Sequence, residues 1–281
     1  MQLAAINGVT LRYEVLGDKG PWMALSPGGR REMDNVRGLA QKMAAAGYRV
    51  LIHDRRNCGA SELAFDSSQS EYEIWADDLA QLLQRVGATS TIVGGGSSGA
   101  RLAILFALKY ARRVKALLLW RVTGGAFAAQ RLAENYYDQY IRAAKQGGMD
   151  AVAATEHFAQ RIVANPRNRQ LLNKMSVEQF IDVMTKWREY FVEGADLPVI
   201  GASEQELNSI TAPTCIIPGN DKTHSHVTGN AAHRMIPGSE LHDLWPGDLD
   251  IELFPAEDWA RTEAEQAAIF ADFLKRKGLY A

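Results

Sequence analysis

The chain has 281 residues, 47% hydrophobic and 23% charged, which is the balance of an ordinary globular protein and excludes the disordered and collagen-like classes. Lys and Arg number 31 against 33 Asp and Glu, a formal net charge of −2, so no summed positive field draws the chain to nucleic acid or to an anionic membrane. Cys58 and Cys215 are the only cysteines, too few for a disulfide framework and without metal-binding spacing, and are expected to be reduced thiols.

Residues 1–9 have neither a basic leader nor a long apolar run. Nothing later approaches the ~18 consecutive apolar residues of a membrane helix, so a cytoplasmic protein without membrane association is expected. Short apolar runs then alternate with amphipathic stretches as far as Trp120, the pattern of strands joined by crossover helices in a mostly parallel sheet. Strands are predicted at 9–15, 22–25, 49–52, 91–93 and 114–120, several of them apolar throughout, as strands covered on both faces are. Ser70 and Glu73 form a capping box ahead of a helix in which Trp75, Leu79, Leu82 and Val86 recur at helical spacing. Over 127–209 strand patterns give way to successive helices broken at Gly147-Gly148, Asn165-Pro166 and Gly194. Strands return at 214–217 and 240–244, and Thr262 with Glu265 is expected to cap a closing helix that runs to about Lys277. The predicted organisation is an α/β core of residues 1–125 and 210–281, interrupted by a helical insertion of residues 126–209.

The sharpest chemical signal is Gly95-Gly96-Ser97-Ser98-Gly99, between an apolar strand and a helical run. A serine projecting from a strained strand-to-helix turn needs small neighbours, and glycines at 95 and 99 meet that demand. The following helix directs free amides toward an anion forming beside Ser97, with the Ser98 amide as the natural donor.

With this motif the chain resembles the α/β-hydrolase fold family, and four further segments agree. Asn7-Gly8-Val9 through Leu16-Gly17 is similar to the family's opening hairpin, and Ser26-Pro27-Gly28-Gly29 stands where its oxyanion loop follows a strand. Asp54-x-Arg56-x-x-Gly59-x-Ser61 is similar to its turn after the next strand, and residues 213–221 to its acid-bearing strand and loop. The resemblance implies a helical cap over a pocket, Gly28 or Gly29 as second oxyanion donor with Ser98, and Asp221 as the acid that orients an imidazole. A plain turn aspartate after Gly219 is the other reading of Asp221.

The family's base lies after the last strand. Here that loop, 246–255, holds Asp248, Asp250 and Glu252, and no histidine follows His242. A serine hydroxyl needs a base near neutral pKa, which an ordinary carboxylate is not. His224, three residues beyond Asp221, is the substitute; a polar loop residue or substrate contact is its other reading. A carboxylate of the 248–252 loop with its pKa raised by burial would instead suit lyase or isomerase chemistry, and a silent pocket would make a small-molecule binding protein.

Arg30, Arg55, Arg56 and Arg121 follow strand ends, where α/β sheets bind ligands. Arg30 and Arg121 are read as contacts to an anionic substrate, and Arg56 as a structural pairing. Aromatic residues of the insertion, Tyr136, Tyr140, Phe158 and Trp187 among them, are expected mostly as its core, with some lining an apolar acyl or aromatic pocket. No P-loop or full dinucleotide fingerprint occurs, so neither cofactor nor metal is expected. The resulting expectation is a cofactor-independent serine hydrolase of small esters or lactones, acting on a small-molecule substrate, with a homodimer open.

Overall fold

The computed structural model describes residues 2–245 and 247–280; Met1, Ala281 and Pro246, the first residue of the predicted 246–255 loop, lie outside them. Eight strands form one sheet in the order β1-β2-β4-β3-β5-β6-β7-β8. They are β1 (Gln2–Ile6), β2 (Val9–Leu16), β3 (Trp22–Ser26), β4 (Arg49–His53), β5 (Thr91–Gly96), β6 (Val114–Trp120), β7 (Thr214–Ile217) and β8 (Glu240–Leu241). The β1–β2 hairpin and the β2–β4 pairing are antiparallel, and all other pairings are parallel.

Parallel strands need helical crossovers, and these cover both faces of the sheet. Alternate residues of β6 divide accordingly. Leu117 and Leu119 enter a core shared with Trp75 and Leu79 of α2 (Glu71–Arg85) and Phe106 of α3 (Ser98–Lys109). Ala116, Leu118 and Trp120 enter the opposite core, with Leu39 and Met43 of α1 (Arg37–Ala45) and Phe270 and Phe273 of the closing helix. The Ser70–Glu73 capping box forms at the start of α2, with both reciprocal bonds present.

Between β6 and β7 lie α4 (Gly125–Ala133), a π-helical turn at Glu134–Asp138, α5 (Gln139–Ala154), α6 (Glu156–Ala164), α7 (Arg167–Leu172), α8 (Val177–Glu193) and α9 (Glu204–Asn208). The three expected breaks appear: Gly147 and Gly148 leave helical geometry within α5, Asn165 and Pro166 separate α6 from α7, and Gly194 ends α8. Tyr137, Phe158, Phe180, Trp187 and Phe191 are buried in the core of this insertion. The chain then continues through β7, α10 (His226–Met235), β8, α11 (Ala256–Ala260) and α12 (Glu263–Arg276).

Two expectations are corrected. Strand β8 ends at Leu241 rather than 244, being an edge strand that pairs only with Cys215 and Ile216. Thr262 does not cap α12 with its side chain. It sits at the end of α11, and its hydroxyl donates back to the Trp259 carbonyl at 2.7 Å.

Candidate active site

Each parallel strand delivers its following loop to the same edge of the sheet, and three of these loops meet at Ser97. The residue has φ 54° and ψ −114°, a left-handed conformation that a serine adopts only where surroundings impose it. Those surroundings explain the glycines. A Cβ at Gly95 would collide with the Gly99 backbone, and one at Gly99 with the Ser26 carbonyl, so strand, turn and helix close this tightly only without side chains there. The Ser97 amide donates to the Trp120 carbonyl at 3.0 Å, tying the turn to the neighbouring strand.

From the loop after β7, His224 Nε2 lies 2.8 Å from Ser97 Oγ, and His224 Nδ1 lies 3.0 and 3.2 Å from the two Asp221 oxygens. With the hydroxyl donating to Nε2, the imidazole carries its proton on Nδ1 and donates it to Asp221. Asp221 also closes its own turn, its Oδ1 accepting the Thr223 and His224 amides at 2.9 and 2.8 Å. The turn-residue reading of Asp221 and its placement beside an imidazole are therefore realised together. Gly219 is needed for this packing, since a Cβ there would collide with the His224 carbonyl.

The 248–254 loop acts as a brace for this turn. Lys222 and Thr223 amides donate to the Ile251 and Glu252 carbonyls at 3.0 and 3.2 Å, and the Phe254 amide donates to Asp221 Oδ2 at 2.8 Å. Its carboxylates do not approach Ser97 under cover. Asp248 accepts the His226 amide at the surface, Asp250 pairs with Lys222, and the Asp250 and Glu252 side chains are 92% and 70% exposed. The expectation of a buried, raised carboxylate base is thus corrected: the loop projects its acids into water, and the Lys222 pairing holds Asp250 below its usual range.

Burial pushes the Asp221 carboxyl up, but the hydrogen bond and charge of His224, the Phe254 amide and Arg121 outweigh it and hold the group well below the carboxylate range. His224 is 3% exposed, and burial, then the positive charge of Arg121, bring its pKa down to about 4 against the opposing pull of Asp221.

The Ser98 amide lies in the first turn of α3, outside the helix's own hydrogen-bond ladder. Gly28 runs beside the serine, so that a Cβ there would stand 3.2 Å from Ser97 Cβ. The Gly29 and Arg30 carbonyls are held by Arg55 Nη2 at 2.7 Å and Arg161 Nη2 at 2.6 Å, which fixes the peptide planes of this loop.

The two arginines read as substrate contacts both line the cavity over Ser97, and both are engaged by protein partners. Arg30 pairs with buried Glu71 at 2.8 Å and lies 5.0 Å over the Tyr137 ring. Arg121 Nη2 lies 2.9 Å from Asp221 Oδ2 and donates to the Phe254 carbonyl at 3.1 Å, while its guanidinium covers Trp259 at 5.1 Å. Arg56 makes its expected structural pairing, bidentate to Asp78 at 2.6 and 2.7 Å.

A cavity of about 450 Å³ opens over Ser97, floored by Gly28, Gly29, Arg121 and His224 and walled by insertion residues such as Leu132, Tyr136, Tyr140 and Arg161. Trp259, Gln160 and Arg161 on its wall carry no local motif, which is why sequence reasoning missed them. Among the described residues no group of three His, Cys, Asp or Glu side chains is arranged to hold a metal, and no helix is long and apolar enough to cross a membrane.

Residues 21–157 match the family model described as the alpha/beta hydrolase fold, and the sheet order of the chain is that of this fold. The chain is 27% identical over 259 residues to a proline iminopeptidase of Saccharolobus solfataricus, covering 84% of this chain and 82% of that protein. Among solved structures it is similar to the enol-lactonase from Burkholderia xenovorans LB400, with a TM-score of 0.66, 18% identity and coverage of 98% and 100% of the two chains. A thermophilic esterase from Thermogutta terrifontis gives 0.67, 20% identity and 99% coverage of each chain. These two likenesses concern the fold.

Proposed function

We propose that the chain is a cofactor-independent serine hydrolase of small carboxylic esters or lactones. The observation that carries this reading is the continuous relay from Ser97 Oγ through His224 to Asp221, with bonds of 2.8 and 3.0 Å, at the floor of a cavity. In the proposed reaction Ser97 Oγ attacks the carbonyl carbon as its proton passes to His224 Nε2. The tetrahedral oxyanion is held by the Ser98 amide and by that of Gly28 or Gly29. Collapse expels the alkoxide, which takes the proton from the imidazolium, leaving an acyl ester on Ser97. Water, deprotonated by His224, then hydrolyses that ester and restores the serine. Asp221 keeps Nδ1 protonated and stabilises the imidazolium without itself accepting the proton.

The test is turnover of short p-nitrophenyl esters and simple lactones. Ser97→Ala and His224→Ala are each expected to lower kcat/KM by about three orders of magnitude, whereas Asp250→Asn leaves it near the wild-type value. Turnover that survives Ser97→Ala, or that is lost in Asp250→Asn but not in His224→Ala, overturns the assignment. Ligand binding without turnover of any ester, lactone or prolyl amide would instead identify a binding protein.

A further inference from the structure

Five arginines are buried among the described residues: Arg30, Arg55, Arg56, Arg101 and Arg161. A guanidinium does not shed its proton, so a buried one requires compensation. Arg30 has Glu71 and Arg56 has Asp78. Arg55 lies 4.3 Å over the Trp75 ring, and Arg101 4.5 Å over Tyr72 and Phe191. Arg161 of α6, 8% exposed, has neither kind of partner among the described residues. Its Nη2 donates to the Arg30 carbonyl at 2.6 Å and its Nη1 to Gln160 Oε1 at 3.0 Å, both neutral acceptors, and its buried Nε has no partner.

This uncompensated cation is on the cavity wall. One turn earlier on the same helix, His157 reaches the same wall with a buried Nε2 that also lacks a partner. Arginines 30, 31, 121, 131 and 161 line the cavity against two carboxylates, Glu156 and Glu263. Glu156 accepts from Gln160 at 3.1 Å, and Glu263 lies toward Lys42 at 3.6 Å. Through the Arg30 carbonyl, Arg161 is held one residue from Gly29, so an anion held by its guanidinium on the cavity wall shares the cavity with Ser97. One guanidinium without an acidic partner among the described residues, beside a neutral amide, matches a monoanion better than a phosphate dianion.

We propose that Arg161 forms an anion subsite and that the substrate is a short ester or lactone carrying a free carboxylate. The subsite rests on the hydrolase reading only for the ester part of the substrate, so binding and turnover test the two separately. Ser97→Ala protein is titrated by calorimetry with monomethyl succinate and monomethyl glutarate and with the corresponding neutral dimethyl esters.

At least one monoester is expected to bind about tenfold or more tightly than its diester, the scale of a charge-assisted hydrogen bond in a buried site. The preference is expected to collapse in Ser97→Ala/Arg161→Gln and to return in part in Ser97→Ala/Arg161→Lys. In protein retaining Ser97, the ratio of kcat/KM for monoester over diester should fall by a similar factor on Arg161→Gln. Equal binding of monoesters and diesters to the Ser97→Ala protein overturns the subsite. So does a preference that survives Arg161→Gln in protein whose circular dichroism is that of the folded chain. Carboxylate binding that depends on Arg161 without turnover of any ester leaves the subsite standing and removes the hydrolase reading.

Discussion

In the proposed reaction His224 must be neutral to receive the Ser97 proton, and its surroundings disfavour the imidazolium. Burial contributes most, Arg121 adds a positive charge 3.3 Å from Nδ1, and Arg131 adds another, while Asp221 opposes them; the balance leaves the pKa at about 4. The acid limb of kcat/KM is therefore expected well below neutral pH. Arg121→Gln removes a like charge from beside the imidazole, which favours protonation, so the His224 pKa rises. The acid limb should move toward neutral pH by about one unit. Asp221 keeps the Thr223, His224 and Phe254 amides, so activity on the alkaline plateau is expected to fall only about tenfold. A pH–rate profile on a neutral ester checks this: an acid limb that stays in place would show that Arg121 acts through packing alone.

The strand–turn–helix element around Ser97 stores its geometry in missing side chains. Gly95→Ala places a methyl group against the Gly99 backbone, where no flexible side chain can yield, so strand and helix must separate. Overpacking of this kind costs about 1–3 kcal/mol. Urea denaturation should report that loss, and ester turnover should fall further than stability because the Ser97 conformation moves with the turn. Unchanged activity in a destabilised Gly95→Ala protein would show that the elbow tolerates a wider turn. This element was legible in the sequence because its requirements are local, whereas Asp221 came from the resemblance to the family's acid-bearing strand and loop, and His224 from its place three residues further along that loop. Their supports were not legible. Phe254 reaches Asp221 across 33 positions, Arg121 reaches it across 100, and Arg161 reaches the Arg30 carbonyl across 131. Side-chain periodicity carries no information at such separations. For the same reason Arg30 and Arg121, placed by the sequence at ligand-binding strand ends, gave no sign of their carboxylate partners.

At the scale of the whole molecule, burial of histidines sets a pH dependence of folding apart from that of catalysis. Three of the six histidines, His53, His157 and His224, have lowered pKa values in the folded chain. His53 is the simplest case. It is fully buried in β4, neither ring nitrogen has a partner, and burial followed by the charge of Arg55 brings it down to about 3. In the unfolded chain all three titrate near the ordinary value of about 6.5. Between that pH and about 4 the unfolded state binds more protons than the folded one, so stability falls as pH falls across this window. Asp221, whose folded pKa is lowered, adds to the same trend further down, as the unfolded carboxyl takes up its proton below about pH 4. Each histidine contributes a slope of about 1.4 kcal/mol per pH unit where its unfolded form is fully protonated and its folded form is not. His53→Leu removes one such proton, changes none of the residues that line the cavity, since His53 is not among them, and should flatten the dependence of unfolding free energy on pH between 6 and 4.5 by about one proton. Urea denaturation at a series of pH values measures that slope. A slope equal to that of the wild-type chain would mean that His53 takes up its proton within the fold.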